Sequence, residues 1–276
     1  FVLTYSVGTG ICATSDVMSI VVNAIPTIVP GANQSVCIDA PIFNFSGFSP
    51  AGGSWTGTGI TNAALGTFDP VIAGAGSNNT LEALHFMQHA KSVGADAISS
   101  AAPCFFKPST PADLVEFQAE VASAAPELPF YHYHIPLFTG VNGPVAPFLR
   151  MASKKIPNLV GVKYSHSDLS DLLECTILDN GRFEVLYGCD EMLLGAIAMG
   201  VRGAVGSTYN FAASIYLEMM EAFEKGDVEK TRVMQEKSVA IVRLIQEFGG
   251  IPGGKALMGA LGVECGPVRP PLHKLT

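Results

Sequence analysis

The chain has 276 residues, 48% hydrophobic and 14% charged, with a formal net charge of −8. That is enough apolar material for one large core or two smaller ones. An acidic chain without a basic cluster makes a poor partner for nucleic acid or an anionic membrane surface, though one buried lysine can still hold a small anion. No run is long and apolar enough to span a bilayer, and the opening Phe1-Val2-Leu3-Thr4 has no basic stretch of the kind that starts a secretory signal.

Charge is unevenly spread. No Lys or Arg precedes Lys91, and across residues 1–76 the only charged side chains are Asp16, Asp39 and Asp69. A composition shift this sharp predicts a boundary near 74–77, with domains 1–76 and 77–276. The first segment reads as β: apolar and β-branched runs at 19–22, 27–29 and 42–45 alternate with Gly, Pro, Asn and Ser clusters. Residues 49–60 are turn chemistry around the single Trp55. The link Asn23-Ala24-Ile25-Pro26-Thr27, the pair Val36-Cys37, the Gly-Trp-Gly stretch and Gly66-Thr67-Phe68-Asp69-Pro70 resemble the repeated immunoglobulin-like modules of bacterial surface adhesins. A β-rich cap on the following domain is the other reading.

The second segment alternates strand and helix. Strands are predicted at 95–100, 129–135, 159–164, 183–187 and 203–207, and residues 71–76 can stand in as one more ahead of them. The helix predicted over 80–93 places Leu81, Leu84, Met87 and Ala90 on one side, with Gly94 as its stop. Thr110-Pro111-Ala112-Asp113 is a capping box with proline at the first helical position, and Leu114, Phe117 and Val121 follow as a buried stripe. Further helices are expected at 192–199, 212–225, 228–248 and 252–261. Strand–helix alternation implies a parallel sheet.

Two residues stand out chemically. In Leu159-Val160-Gly161-Val162-Lys163-Tyr164-Ser165, strict alternation puts Leu159, Gly161 and Lys163 on one face and Val160, Val162 and Tyr164 on the other. Gly161 would leave space for a ligand beside the lysine stem. A lysine near the C-terminal end of a barrel strand points into the mouth where such barrels work. Burial favours the neutral amine, which can attack a ketone. The alternative is a lysine reaching out to solvent at the rim. Tyr133, one strand earlier, could shuttle a proton or be an aromatic of the core. The pair Asp190-Glu191 could bind hydroxyls, favour a helix N-terminus, or both. His85, His89, His166 and His273 lack ligand-like spacing, and so do the six cysteines, so no metal is expected. Cys104, Cys175, Cys189 and Cys265 are expected as free thiols of a reducing compartment, hence a cytoplasmic location; pairing of Cys12 with Cys37 stays open.

The ordered set Tyr133-His134-Ile135-Pro136, Gly161-Val162-Lys163-Tyr164-Ser165, Gly188-Cys189-Asp190-Glu191 and Gly206-Ser207-Thr208-Tyr209-Asn210 resembles the landmarks of N-acetylneuraminate lyases. Ser77-Asn78-Asn79-Thr80 and residues 102–108 add to the likeness. The resemblance implies an α/β fold, a (β/α)8 TIM barrel of the Schiff-base aldolase type with a C-terminal helical extension. Here the barrel would be N-terminally truncated: its first two strands, and the Gly-Thr-Thr-Gly-Glu type loop that binds substrate carboxylate, are not recognisable. It further implies that Lys163 forms an imine with open-chain sialic acid and that Tyr133 moves the proton at C4. Ser165, Gly188, Asp190, Glu191 and Ser207 would bind substrate. There would be no cofactor, the products would be pyruvate and N-acetylmannosamine, and the assembly a homotetramer. Dihydrodipicolinate synthases resemble one another in an arginine shortly after Tyr-x-x-Pro; here Leu137-Phe138-Thr139-Gly140 follows Pro136. Another pyruvate-dependent aldolase, or an inactive fusion acting as a surface binding module, are the alternatives.

Overall fold

The structure, a computed structural model, describes residues 71–275 continuously and, ahead of them, five strand segments. The chain divides into two compact units. In the first, β1 (Val2–Val7) pairs antiparallel with β2 (Thr14–Ser19). Strands β3 (Phe43–Asn44), β4 (Ile60–Asn62) and β5 (Thr67–Phe68) form a second antiparallel sheet with β5 in the middle. The predicted run at 27–29, the turns of 49–59, Cys12, Cys37 and most of the adhesin-like motifs lie outside the described residues.

The second unit alternates strand and helix. In order it contains β6 (Ile72–Gly74), α1 (Thr80–Ser92), β7 (Ala97–Ala101), α2 (Pro111–Ala122), β8 (Phe130–His134), a short α3 (Pro136–Thr139) and α4 (Val145–Ala152). There follow β9 (Leu159–Tyr164), α5 (Leu169–Ile177), β10 (Glu184–Tyr187), α6 (Leu193–Ala198), β11 (Gly203–Ala204), α7 (Tyr209–Glu224), α8 (Val228–Glu247) and α9 (Ile251–Ala260). Strands β6 to β11 make one sheet, parallel throughout, in strict chain order. Sequential order means that every crossover advances the same way, and right-handed crossovers then put every helix on one face. The bare face curls inward, as in a (β/α)8 barrel; a doubly wound sheet would reverse order midway and carry helices on both faces. The described residues thus supply six parallel strands curled into an open part of a barrel, with β6 at one end of the arc and β11 at the other. Among them no helix is long and apolar enough to cross a membrane.

The helix starts follow the sequence chemistry. Asn79 caps α1 by accepting from the Glu82 amide at 3.2 Å, and Thr110 and Asp113 cap α2 reciprocally. The stripe of α2 is buried at Leu114 and Val121, with Phe117 at its margin. On α1 the expected stripe is corrected: Ala83, Met87 and Ala90 are buried, whereas Leu81 is 76% exposed. Helix α4 begins after Pro144 with no side-chain cap of its own. Asp171 of α5 supplies one: its carboxylate accepts from the amides of Val145 (2.8 Å) and Ala146 (3.1 Å) and from the Tyr164 phenol (3.0 Å). Orphan donors at a helix start need such an acceptor, and here it also ties two crossovers together.

The sheet separates two cores. The larger lies under the helices and takes Phe130, Leu159, Val162, Tyr164, Val185 and Tyr187. The smaller lines the interior of the arc and takes Ala97, Tyr131 and Leu186, with Ile72, Val160 and Val205 against them. Strict alternation along β9 is therefore corrected. Leu159 lies with Val162 and Tyr164 on the helix side, and Val160 faces the interior. The cause is a shift of register: Phe130 pairs with Leu159, but Tyr131 pairs with Gly161, so β9 carries one extra residue at that point.

Candidate active site

Past the shift, Tyr133 on β8 and Lys163 on β9 are register partners. Both are half-buried, at the C-terminal ends of adjacent strands. The Lys163 Nζ lies 4.2 Å from the centroid of the Tyr133 ring. That contact sets the amine against the face of the phenol ring.

The ladder continues past the strand ends. Ser165 donates its amide to the His134 carbonyl, Gly188 to Tyr164 and Val205 to Tyr187, each at 2.8 Å. These bonds set Ser165, Gly188 and residues 205–207 side by side along the mouth. The Ser165 Oγ is buried and has no hydrogen-bond partner among the described residues. Gly188 lies against that hydroxyl, and a Cβ there would collide with it.

Asp190 follows on a single 3-10 turn, Asp190–Met192, and is only 5% exposed. Its Oδ2 accepts from the Thr208 amide (3.0 Å) and hydroxyl (2.5 Å), and its Oδ1 faces Gly206, where a Cβ would collide with it. Its main-chain carbonyl accepts from Ser238 Oγ at 2.8 Å and Gln235 Nε2 at 3.2 Å on α8. Asp190 is thus bound into the protein through both carboxylate and carbonyl. Glu191 is half-buried and Ser207 exposed. The structure brings Lys163 to Tyr133, Ser165 to Gly188, and Asp190 to Thr208; no side-chain hydrogen bond joins Glu191 or Ser207 to these among the described residues.

Gly161 is corrected as well. It does not open room for a ligand: a Cβ there would collide with the Glu184 carbonyl and stand 3.0 Å from the Tyr131 ring. That space is filled by the contact in which the Tyr131 phenol donates to the Glu184 carboxylate. Sequence reasoning missed this pair, and also Thr208, whose hydroxyl links Asp190 to Tyr216. The signal available for Thr208 was its place beside Gly206 and Ser207 at a strand end.

The electrostatics separate site from scaffold. Burial, then the neighbouring His134, pushes His132 down to about 3. Burial, then His166, pushes His134 down to about 4. Both therefore stay neutral on the helix side at ordinary pH. Burial and the Glu191 carboxylate push the Cys189 thiol up to about 11, so this cysteine at the mouth is no thiolate nucleophile. The four described cysteines are free thiols.

Comparison with known proteins gives the family. The model of the dihydrodipicolinate synthetase family matches residues 58–276. N-acetylneuraminate lyase A of Xenopus laevis is 42% identical over 212 residues, covering 76% of this chain and 69% of that protein. The N-acetylneuraminate lyase of Danio rerio is 39% identical over 210 residues, 75% of this chain and 68% of that one. Among solved structures, the Proteus mirabilis N-acetylneuraminate lyase superposes with a TM-score of 0.73 at 37% identity, over 76% of this chain and 70% of that one. The Aliivibrio salmonicida enzyme, a sialic acid aldolase, gives 0.73 at 39%, over 76% and 69%. The chain belongs to the dihydrodipicolinate synthetase family.

Proposed function

We propose that the chain is an N-acetylneuraminate lyase, a class I aldolase that cleaves N-acetylneuraminate reversibly to pyruvate and N-acetylmannosamine. The observation that carries this reading is the Lys163 amine 4.2 Å over the Tyr133 ring at the strand ends. The Lys163 amine adds to the C2 ketone of the open-chain sugar, and the carbinolamine oxygen leaves as water with the phenolic proton of Tyr133, giving a protonated imine and the Tyr133 phenolate. Tyr133 takes the proton from the C4 hydroxyl. The C3–C4 bond breaks, its electron pair passes to the imine nitrogen, and N-acetylmannosamine departs as the aldehyde. Tyr133 returns its proton to C3 of the enamine, and water releases pyruvate and the free amine. No cofactor enters, because the imine is the electron sink.

The orphan Ser165 hydroxyl beside Gly188 supports a polar group of the substrate docking there. Glu191 and Ser207 are free to meet the hydroxylated tail, and Asp190 meets it through what its bonds to Thr208 leave over. The absence of arginine from Leu137-Phe138-Thr139-Gly140 supports a neutral sugar partner over an acidic aldehyde. A homotetramer is supported by Phe105, Phe106, Leu137 and Phe138, which are 75–85% exposed just past β7 and β8 and offer apolar surface for another copy. The free thiols support a reducing, cytoplasmic compartment. The adhesin-like reading of the N-terminal segment is supported by composition, since no Lys or Arg precedes Lys91.

The test is borohydride reduction in the presence of N-acetylneuraminate. A pyruvate-derived mass on the peptide bearing Lys163, with N-acetylmannosamine in solution, is the expected result; an unmodified Lys163 overturns the reading.

A further inference from the structure

We infer that Tyr131 and Glu184 form a clasp across β9 that holds its extra residue in place and so turns Lys163 into the mouth; they are positioning residues for the amine.

The starting point is parity. Side chains alternate along a strand, so one inserted residue moves everything after it to the opposite face. Leu159 lies in the helix-side core. Plain alternation from Leu159 would put Lys163 on that same side, buried under helices with no partner for its charge. Instead Val160 joins the interior cluster, Val162 and Tyr164 join the helix-side core, and Lys163 reaches the Tyr133 ring. The lysine faces inward because β9 carries one residue more than β8 between the pairs Phe130↔Leu159 and Tyr131↔Gly161.

An irregularity in a parallel sheet gives up ladder bonds and needs something to hold it. Tyr131 on β8 and Glu184 on β10 are both register partners of Gly161. The Tyr131 phenol reaches over β9 and donates to the Glu184 carboxylate. They meet only because the residue between them is glycine: a Cβ at Gly161 would strike the Glu184 carbonyl and crowd the Tyr131 ring at 3.0 Å. Tyr131 is 3% exposed, so its contacts are made in a closed interior. The next row on the same face, two residues on, is Tyr133, Lys163 and Leu186, about 6.6 Å further along the strands. The clasp therefore pins three strands directly beneath the reacting pair. A misplacement of about 1 Å there costs on the order of 100-fold in rate.

The catalytic half of this inference rests on the lyase reading; the structural half does not. The experiment uses the full chain and the variants Tyr131→Phe, Glu184→Ala, Glu184→Gln and the double variant Tyr131→Phe/Glu184→Ala. Two quantities are read: the rate at which pyruvate is trapped on Lys163 by borohydride, and amide hydrogen exchange at residues 160–162. Tyr131→Phe and Glu184→Ala should each slow trapping by about 10- to 100-fold and speed exchange at 160–162, with helix content unchanged by circular dichroism. Glu184→Gln keeps an acceptor for the phenol and should retain most of the trapping rate. The double variant should be no worse than either single one, because both break the same contact. Trapping by Tyr131→Phe at the parent rate overturns the inference. If the parent itself traps no pyruvate, the lyase reading has failed and exchange alone decides: faster exchange at 160–162 in the variants sustains the clasp, and unchanged exchange overturns it.

Discussion

The two faces of β8 and β9 carry polar aromatic and basic side chains in similar number and use them for opposite ends. Inward stand Tyr131, Tyr133 and Lys163; outward stand His132, His134 and Tyr164. The outward group is fully engaged. His132 takes a hydrogen bond from Gln118 at 3.2 Å and lies 4.4 Å from the Phe148 ring, His134 lies 5.3 Å from Tyr164, and the Tyr164 phenol donates to Asp171. Burial keeps these groups neutral, with both imidazoles pushed down and the Tyr164 phenol pushed up. The inward pair at the strand ends is half-buried and faces an open mouth. Residue type alone does not mark chemistry; the face on which parity sets a side chain does.

That comparison can be broken in stages. Replacing Lys163 by Ala should remove the borohydride-trapped adduct and bring pyruvate release to background. Tyr133→Phe should cut kcat by about 10²- to 10⁴-fold, the usual worth of a positioned proton carrier, with little change in the urea midpoint. On the other face Asp171→Ala should lower unfolding free energy by about 3 kcal/mol or more in urea titrations, because two helix amides and a phenol lose a charged acceptor in a buried site; activity per folded molecule should hold.

Acid should act through the outward face as well. The ordinary histidine value is 6.5, and folding lowers His132 to about 3, so below pH 6.5 the unfolded chain binds more protons than the folded one. Stability is then present above pH 6.5 and lost as pH falls. Between pH 6.5 and 5 the loss should reach about 2 kcal/mol from this residue, read as a falling thermal midpoint that His132→Gln makes shallower while His134 keeps its own share. The smallest effect belongs to Tyr164→Phe, which should cost roughly 1–2 kcal/mol and leave kcat unchanged. A Tyr164→Phe variant that lost activity as Tyr133→Phe does would erase the distinction between the faces.

Much of the second unit was legible in the chain. The strand at 159–164 and the cap at Thr110 were found where they lie, because β-branched runs and capping residues act locally. The pairing of Lys163 with Tyr133 was legible only through the ordered motifs. What failed was non-local. The extra residue in β9 depends on side chains of two other strands, and no periodicity within Leu159-Val160-Gly161-Val162-Lys163 announces it. Nothing in the local sequence shows that the space beside Gly161 is filled, because the carbonyl that fills it comes from Glu184 on another strand. The Asp171 cap was missed because its acceptor sits 26 residues from the amide it serves. Leu81 faces outward because repeated steps of three drift round a helix of 3.6 residues per turn, and the buried stripe runs instead through Ala83, Met87 and Ala90.

The attachment of Asp190 to α8 bears on how far the protein can be shortened. Ser238 and Gln235 hold its carbonyl, and Thr208, Tyr216 and Ser238 form a chain of hydroxyls back to its carboxylate. A version trimmed to strands and crossovers, ending before Val228, would strip both side-chain donors from that carbonyl and the Ser238 partner from the Tyr216 hydroxyl, leaving Tyr216 only Thr208. The rim that carries Glu191 and Ser207 would lose its anchor with them. Helix α8 is therefore a buttress of the rim that carries Asp190, and the fold cannot be shortened past it without releasing that rim.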